Sequence, residues 1–241
     1  ILDNVGLSKS EVRVSNRRII QDYVDRLGTG TPEKVEAIFR IIDKSRKIPR
    51  EAVESELRAE GIQSRLVDSV IEFTSIRGRP AEVLERISQV RMKGEEAALG
   101  YRQLAELADA LESFNKLDRC TFDMGIVRGI GYYDGIVFEA FDNAGEDVGA
   151  VLGGGRYDGL CAIYGKRNIP ATGAAGGIER LLMSLERAGA FPKLRQSGSV
   201  FVAAVNDETR QQALSIAAKL RNLGIASDVD VKRKPLAKQL E

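Results

Sequence analysis

The sequence predicts an α+β fold in three stretches: a helical block, a glycine-rich antiparallel sheet, and the start of a separate α/β domain. Three observations carry this. Apolar residues recur at helical spacing from Asn16 to about residue 115; glycine-dense strand patterns follow from Cys120; and strand, helix and strand alternate after Ser199. The corresponding partition is 1–29, 30–115, 116–190 and 199–241.

Residues 11–15 alternate charged and apolar side chains, as a half-buried strand does. Asn16 offers an N-cap to a helix whose Ile19, Ile20, Tyr23, Val24 and Leu27 share a face, and Gly28 stops the run. Thr31-Pro32 opens the next helix, because proline suits the first helical position, and Val35, Ala37, Ile38, Ile41 and Ile42 form its apolar side. Pro49 and Gly61 punctuate amphipathic segments at about 50–60 and 64–75. Arg77-Gly78-Arg79-Pro80 then breaks the pattern before helices near 80–92 and 94–115.

The character changes at Lys116. Cys120–Val127, Ile136–Phe141 and Ala150–Leu152 read as strands, with Asn143-Ala144-Gly145 as a turn. Residues 173–189 read as a helix with Ile178, Leu181, Leu182 and Leu185 on one side. After a linker at Phe191–Gly198, a strand at Ser199–Val205, a helix at 207–223 and a strand at 226–231 form a βαβ signature.

Composition narrows the chemistry. The 241 residues hold 36 Lys+Arg against 35 Asp+Glu, a formal net charge of +1, so there is no global attraction to nucleic acid. No histidine is present, which excludes Ser-His-Asp and Cys-His nucleophilic sites and any His-ligated metal. Cys120 and Cys161 fit no metal-ligand spacing and read as buried thiols in a reducing, cytoplasmic setting. The opening ILDNVGLSKS lacks the basic and apolar regions of a secretory signal. A first residue that is Ile, and a last stretch that stops within a helical turn, suggest a piece of a longer protein.

Three stretches combine glycines with an arginine: Arg128 to Tyr133 (RGIGYY), Gly153 to Gly159 (GGGRYDG) and Gly173 to Arg180 (GAAGGIER). An arginine fork binds carboxylate or phosphate bidentately, and glycines let the main chain approach such a ligand. The residues alone leave alternatives. Gly153–Gly155 could be a strand bulge, Tyr132 and Tyr133 could be core aromatics, and Arg180 could pair with Glu179 or Glu186. Neither a Walker loop nor a GxGxxG turn between strand and helix is present.

Taken in order, the stretches resemble a known family. MGIVRGIGYYDGIVFEAF is similar to the first histidine-specific signature of histidyl-tRNA synthetases, VLGGGRYDGL to the second, and ATGAAGGIERL to motif 3 of class II synthetases. The resemblance implies a partial class II synthetase-type antiparallel sheet core with a helical insertion over 30–115, then the start of a three-layer α/β anticodon-binding domain. It implies that Arg128 contacts the histidine carboxylate and the ATP α-phosphate, stabilising the charge that develops on adenylation. Tyr132 and Tyr133 would belong to the histidine pocket, with Gly154, Gly155 and Tyr157 as its floor and wall. Arg156 would face the adenylate. Arg180 would hold the γ-phosphate, with Gly176 and Gly177 leaving room for adenine. Histidine, ATP and tRNA-His are the implied partners, with Mg2+ carried largely by the ATP phosphates, no protein-ligated metal, and a homodimer for the full-length protein.

Gly131 departs from the small or acidic residue common in the family, and motifs 1 and 2 would lie before Ile1. Two other classes remain open. One is a catalytically silent histidine-binding module, as in regulatory subunits of ATP phosphoribosyltransferase. The other is the helical block over 30–115 as a nucleic-acid or protein contact surface, with Arg77, Arg79, Arg86, Arg91 and Lys93 locally basic, as are Lys232, Arg233 and Lys234, unless these are merely solvated charges.

Overall fold

The computed structural model describes residues 2–27, 31–45, 47–90, 94–127, 131–142, 148–160, 165, 169–190 and 200–239. The chain divides into two compact units, Ile1–Phe191 and Pro192–Glu241.

In the first unit, Asn16 ends strand β1 (Ser10–Asn16) and starts helix α1 (Arg17–Asp25) in one step, its carboxamide oxygen accepting the Arg18 N–H at 3.1 Å. The Asn16 amide group faces the other way, donating to Gln103 Oε1 at 2.8 Å and to the Gly100 carbonyl at 3.2 Å. Helix α2 (Pro32–Lys44) starts at a Thr31 cap with proline in its first turn. Helices α3 (Arg50–Ala59) and α4 (Ser64–Thr74), strand β2 (Arg77–Gly78), and helices α5 (Pro80–Gln89) and α6 (Glu95–Ser113) complete the helical block.

One hydrophobic core joins these helices to the sheet. Ile19, Ile20, Ile38, Phe39, Leu57, Val83 and Leu104 are wholly buried with Phe122 and Met124. Each such side chain contributes about 1.5–3 kcal/mol over an exposed one. Tyr23 stacks on Phe73, centroids 4.0 Å apart, while its hydroxyl donates to the Ser69 carbonyl at 3.0 Å, so its polar tip is satisfied.

The sheet adds β3 (Cys120–Asp123), β4 (Ile136–Asp142), β5 (Ala150–Arg156) and β6 (Thr172–Gly176) in the order β2-β3-β1-β4-β5-β6. Its pairings are antiparallel except that of β1 with β3, where Val12 aligns with Cys120 and Val14 with Phe122. The exception follows from connectivity: α1 to α6 form the long crossover that a parallel pair needs. Helix α7 (Ile178–Arg187) closes the unit.

Several predicted boundaries move, among them those of the strand expected over Ser199–Val205, which ends at Val202, and of the helix expected from 207, which begins at Arg210. The strand expected over Cys120–Val127 ends at Asp123, because Asp123 Oδ1 accepts the Gly125 N–H and its carbonyl accepts the Ile126 N–H, both at 3.0 Å, and the chain turns. The strand expected to stop at Leu152 runs through the three glycines to Arg156. The helix expected from residue 173 begins at Ile178, and Thr172–Gly176 form β6, unforeseen in the sequence, with Gly154 opposite Ala174 and Gly155 opposite Gly173. Arg77–Gly78, taken as a break between helices, is a short edge strand on β3. The predicted turn at Asn143-Ala144-Gly145, Cys161 and the Phe191–Gly198 linker lie outside the described residues.

In the second unit, β7 (Val200–Val202) and β8 (Ser227–Val229) pair in parallel across α8 (Arg210–Asn222), a βαβ arrangement followed by the short α9 (Leu236–Gln239). Its core is small, built from Ala213, Ala217 and Val229, and Phe201, Ile216 and Leu223 stay exposed. Among the described residues no helix is long and apolar enough to cross a membrane.

Candidate active site on one face of the sheet

Side chains alternate across a strand, so one face of β1 and β4 carries Glu11 and Arg13 with Glu139 and Phe141. The glycines of β5 and β6 open the same face further along. A Cβ on Gly155 would lie 2.7 Å from both the Ile136 carbonyl and the Tyr133 ring, and one on Gly173 would lie 2.5 Å from the Tyr157 hydroxyl. Glycine suits both positions because the Tyr133 ring and the Tyr157 hydroxyl occupy the space where side chains would stand.

Those tyrosines form one end of the site. The Tyr132 hydroxyl donates to Tyr133 Oη at 3.3 Å with the rings 4.4 Å apart, and Tyr157 meets Tyr132 edge-on at 5.7 Å and Tyr133 at 6.1 Å. Tyr133 is buried at 7% exposure, while Tyr132 at 36% opens to solvent. Of the pocket residues inferred from the two signatures, Tyr132, Tyr133, Gly155 and Tyr157 gather in one place, and Gly154 does not join them. The buried Gly154 faces the opposite side, against Phe138 and the Gly173 carbonyl. Asp134 ties the two signatures together: its N–H donates to the Arg156 carbonyl at 3.1 Å, and its Oδ2 accepts the Gly159 N–H at 2.8 Å.

Arg156 is engaged locally, its Nε donating to Asp158 Oδ2 at 2.8 Å while Asp158 Oδ1 accepts the Ala171 N–H at 3.0 Å. Burial alone would raise the Asp158 carboxyl; these two hydrogen bonds and the charges of Arg156 and Arg18 hold it below its ordinary value. Arg128 lies outside the described residues.

Arg180 marks the other end. It is exposed, starts from the first turn of α7, and donates from Nη1 to the Ala150 carbonyl at 2.9 Å. Gly177 caps that helix and donates to the Val151 carbonyl at 3.0 Å, with the exposed Gly176 just before it. A cavity of about 510 Å³ opens here, lined by Arg13, Lys47, Arg77, Glu139, Asp142 and Arg180 among others.

Residues 1–181 match the profile of the histidyl-tRNA synthetase family.

The chain belongs to the histidyl-tRNA synthetase family.

Named histidine–tRNA ligases are similar along almost the whole chain. That of Pyrococcus horikoshii is 35% identical over 99% of this chain and 54% of the relative, and that of Pyrococcus furiosus 33% over 98% and 54%. The chain spans about half the length of the curated relatives it matches. A histidyl-tRNA synthetase structure from a Nostoc species superposes with a TM-score of 0.73 at 26% identity, covering 99% of this chain and 56% of that one. A Bacillus halodurans structure described as an ATP phosphoribosyltransferase regulatory subunit/histidyl-tRNA synthetase shares the fold, with a TM-score of 0.65 at 21% identity over 95% of this chain and 55% of that one.

The family motifs do not cover every residue that shapes the site. Arg77, considered with the surface charges, instead joins a cluster: its Nη2 lies 3.0 Å from both oxygens of Glu11, which also accepts from Arg13 Nε at 2.8 Å and from the Thr121 hydroxyl at 2.5 Å. Burial pushes the Glu11 carboxyl up, but the Thr121 and Arg13 hydrogen bonds and the Arg13 and Arg77 charges outweigh it and leave it lowered. Arg79, Arg86, Lys232, Arg233 and Lys234 are exposed, and Arg91 and Lys93 lie outside the described residues. Arg17 was missed altogether; it is 3% exposed despite its charge. The signal was present, since Arg17 falls on the same helical face as Ile20 and Val24.

Proposed function

We propose that the protein containing this chain is a histidine–tRNA ligase, which joins histidine to ATP as histidyl-adenylate and then transfers it to tRNA-His. The gathering of Tyr132, Tyr133 and Tyr157 over glycines, on the sheet face that also carries the Arg180 cavity, supports this reading most directly. Family membership and the names of the curated relatives support it independently.

In this reading the tyrosine hydroxyls meet the imidazole. A site built to hydrogen-bond a substrate group rejects analogues that lack it, because its buried polar atoms are then left unpaired. Arg128 holds the histidine carboxylate near the α-phosphate and stabilises the charge that develops there. Arg156 faces the adenylate, Arg180 takes the γ-phosphate, and Gly176 and Gly177 leave space for adenine. Among the described residues no cluster of three or more metal-ligating side chains forms a cage. Mg2+ would arrive on the ATP phosphates and neutralise their charge. The helical block over 30–115 would be the family's insertion, and residues 199–241 the first part of its anticodon-binding domain. A homodimer working in the cytoplasm completes the proposal.

The test is ATP–pyrophosphate exchange by the full-length protein. Exchange that requires histidine supports the proposal, whereas a folded protein that binds histidine without exchange would return the reading to a silent binding module.

A further inference from the structure

Arg17 holds both flanks of the segment that carries Tyr132 and Tyr133. Its backbone N–H donates to the Gly135 carbonyl at 3.0 Å, just after the tyrosines, and its guanidinium donates from Nη1 to the Val127 carbonyl at 3.0 Å, just before the signature arginine. One residue thus fixes two chain positions that an unbraced loop would let drift apart. The second guanidinium nitrogen, Nη2, donates to Glu36 Oε1 of α2 at 2.6 Å, and the guanidinium lies 4.5 Å above the Phe39 ring. The other Glu36 oxygen sits against Gly131, 3.3 Å from where its Cβ would be. Asp134, within the same segment, adds its charge near Arg17 and leaves Oδ1 buried without a hydrogen bond.

We propose that Arg17, oriented by Glu36, is a positioning residue for the histidine pocket, holding the main chain at Val127 and at Gly135 so that Tyr132 and Tyr133 meet the imidazole in one geometry. The inference rests on the ligase reading above and deepens it. It connects the helical block to the pocket through the Arg17–Glu36 ion pair, since Glu36 belongs to α2 and its carboxylate abuts Gly131. Lysine cannot replace Arg17, because a point charge on a flexible stem cannot reach Val127 and Glu36 with two fixed donors at once. Misplacing a binding group by a fraction of an ångström lowers binding and rate without unfolding anything.

The experiment uses the full-length protein with Arg17→Lys, the milder Glu36→Gln, and Leu104→Ala as a core control on α6, outside the clamp. In ATP–pyrophosphate exchange, Arg17→Lys should raise the KM for histidine about tenfold and Glu36→Gln about threefold, with the KM for ATP within about twofold of wild type. Leu104→Ala should lower thermal stability and leave both constants unchanged. Amide hydrogen exchange should quicken in peptides spanning residues 127–135 in both clamp variants and stay unchanged elsewhere. An unchanged histidine KM in both clamp variants would overturn the proposal, as would an equal rise in Leu104→Ala. A wild-type protein lacking exchange activity would sink the ligase reading, and the amide measurement would still decide whether Arg17 holds the segment.

Discussion

The two ends of the candidate site are built on opposite principles. At the tyrosine end the contacts are close and fixed: Tyr133 is buried, Asp134 bonds to both signatures, and Gly155 admits the Tyr133 ring where a side chain would collide with it. At the arginine end an exposed side chain reaches a backbone carbonyl over an open cavity of about 510 Å³. A small ligand distinguished by hydrogen bonds needs fixed partners, because a loose pocket accepts impostors. A triphosphate needs charge at the right distance and tolerates movement, because Coulomb attraction falls off gradually.

Substitutions should break this contrast unevenly. Gly155→Val places branched carbons against Tyr133 and the Ile136 carbonyl, and should cost about 3 kcal/mol of stability in urea unfolding. An unchanged midpoint would mean that the tyrosine end yields more easily than its geometry implies. Tyr133→Phe removes one hydroxyl from the pocket and should raise the KM for histidine about tenfold with the KM for ATP unchanged; equal effects on both would deny that the ends act separately. Arg180→Lys keeps the charge and loses the fork, so the KM for ATP should rise about fivefold while that for histidine stays put. A comparable rise for histidine would join the two ends into one unit.

The smallest effect concerns the sheet beneath both. Burial, with the nearby Glu11 charge, pushes the Cys120 thiol up to about 12 from an ordinary value of 9.0. The folded state thus favours the neutral thiol. This contribution to stability is complete below pH 9 and declines as pH rises through the window from about 9 towards about 12. Alkylation of Cys120 at pH 8 should therefore proceed only on unfolding, and rapid labelling at Cys120 in the native protein, located by peptide mapping, would contradict its burial.

The helical block was legible because its signals are local. Asn16, Thr31-Pro32 and the spacing of Ile19, Ile20 and Val24 each act within a few residues. Strands β5 and β6 were obscured because glycine ordinarily weakens a strand, and the reason for it here comes from residues far along the chain: Tyr133, Phe138 and Tyr157. The tyrosines and Arg180 stood out through the family motifs, whereas Arg17 and Arg77 did not. What makes those two matter is a carbonyl at Val127 and a carboxylate at Glu11, each distant in sequence.

The parallel pairing of β1 with β3 has a kinetic side. Val12 meets Cys120 only after roughly one hundred intervening residues have been gathered in, and the entropy of closing so long a loop must be met before the pairing rewards it. Helices α1 to α6 share one core with Phe122 of β3, so packing of the intervening helices draws that strand towards β1. Assembly of the sheet is thereby coupled to the helical block, and substitutions that slow helix docking, Leu104→Ala among them, should lengthen the time the chain takes to acquire its site after dilution from denaturant.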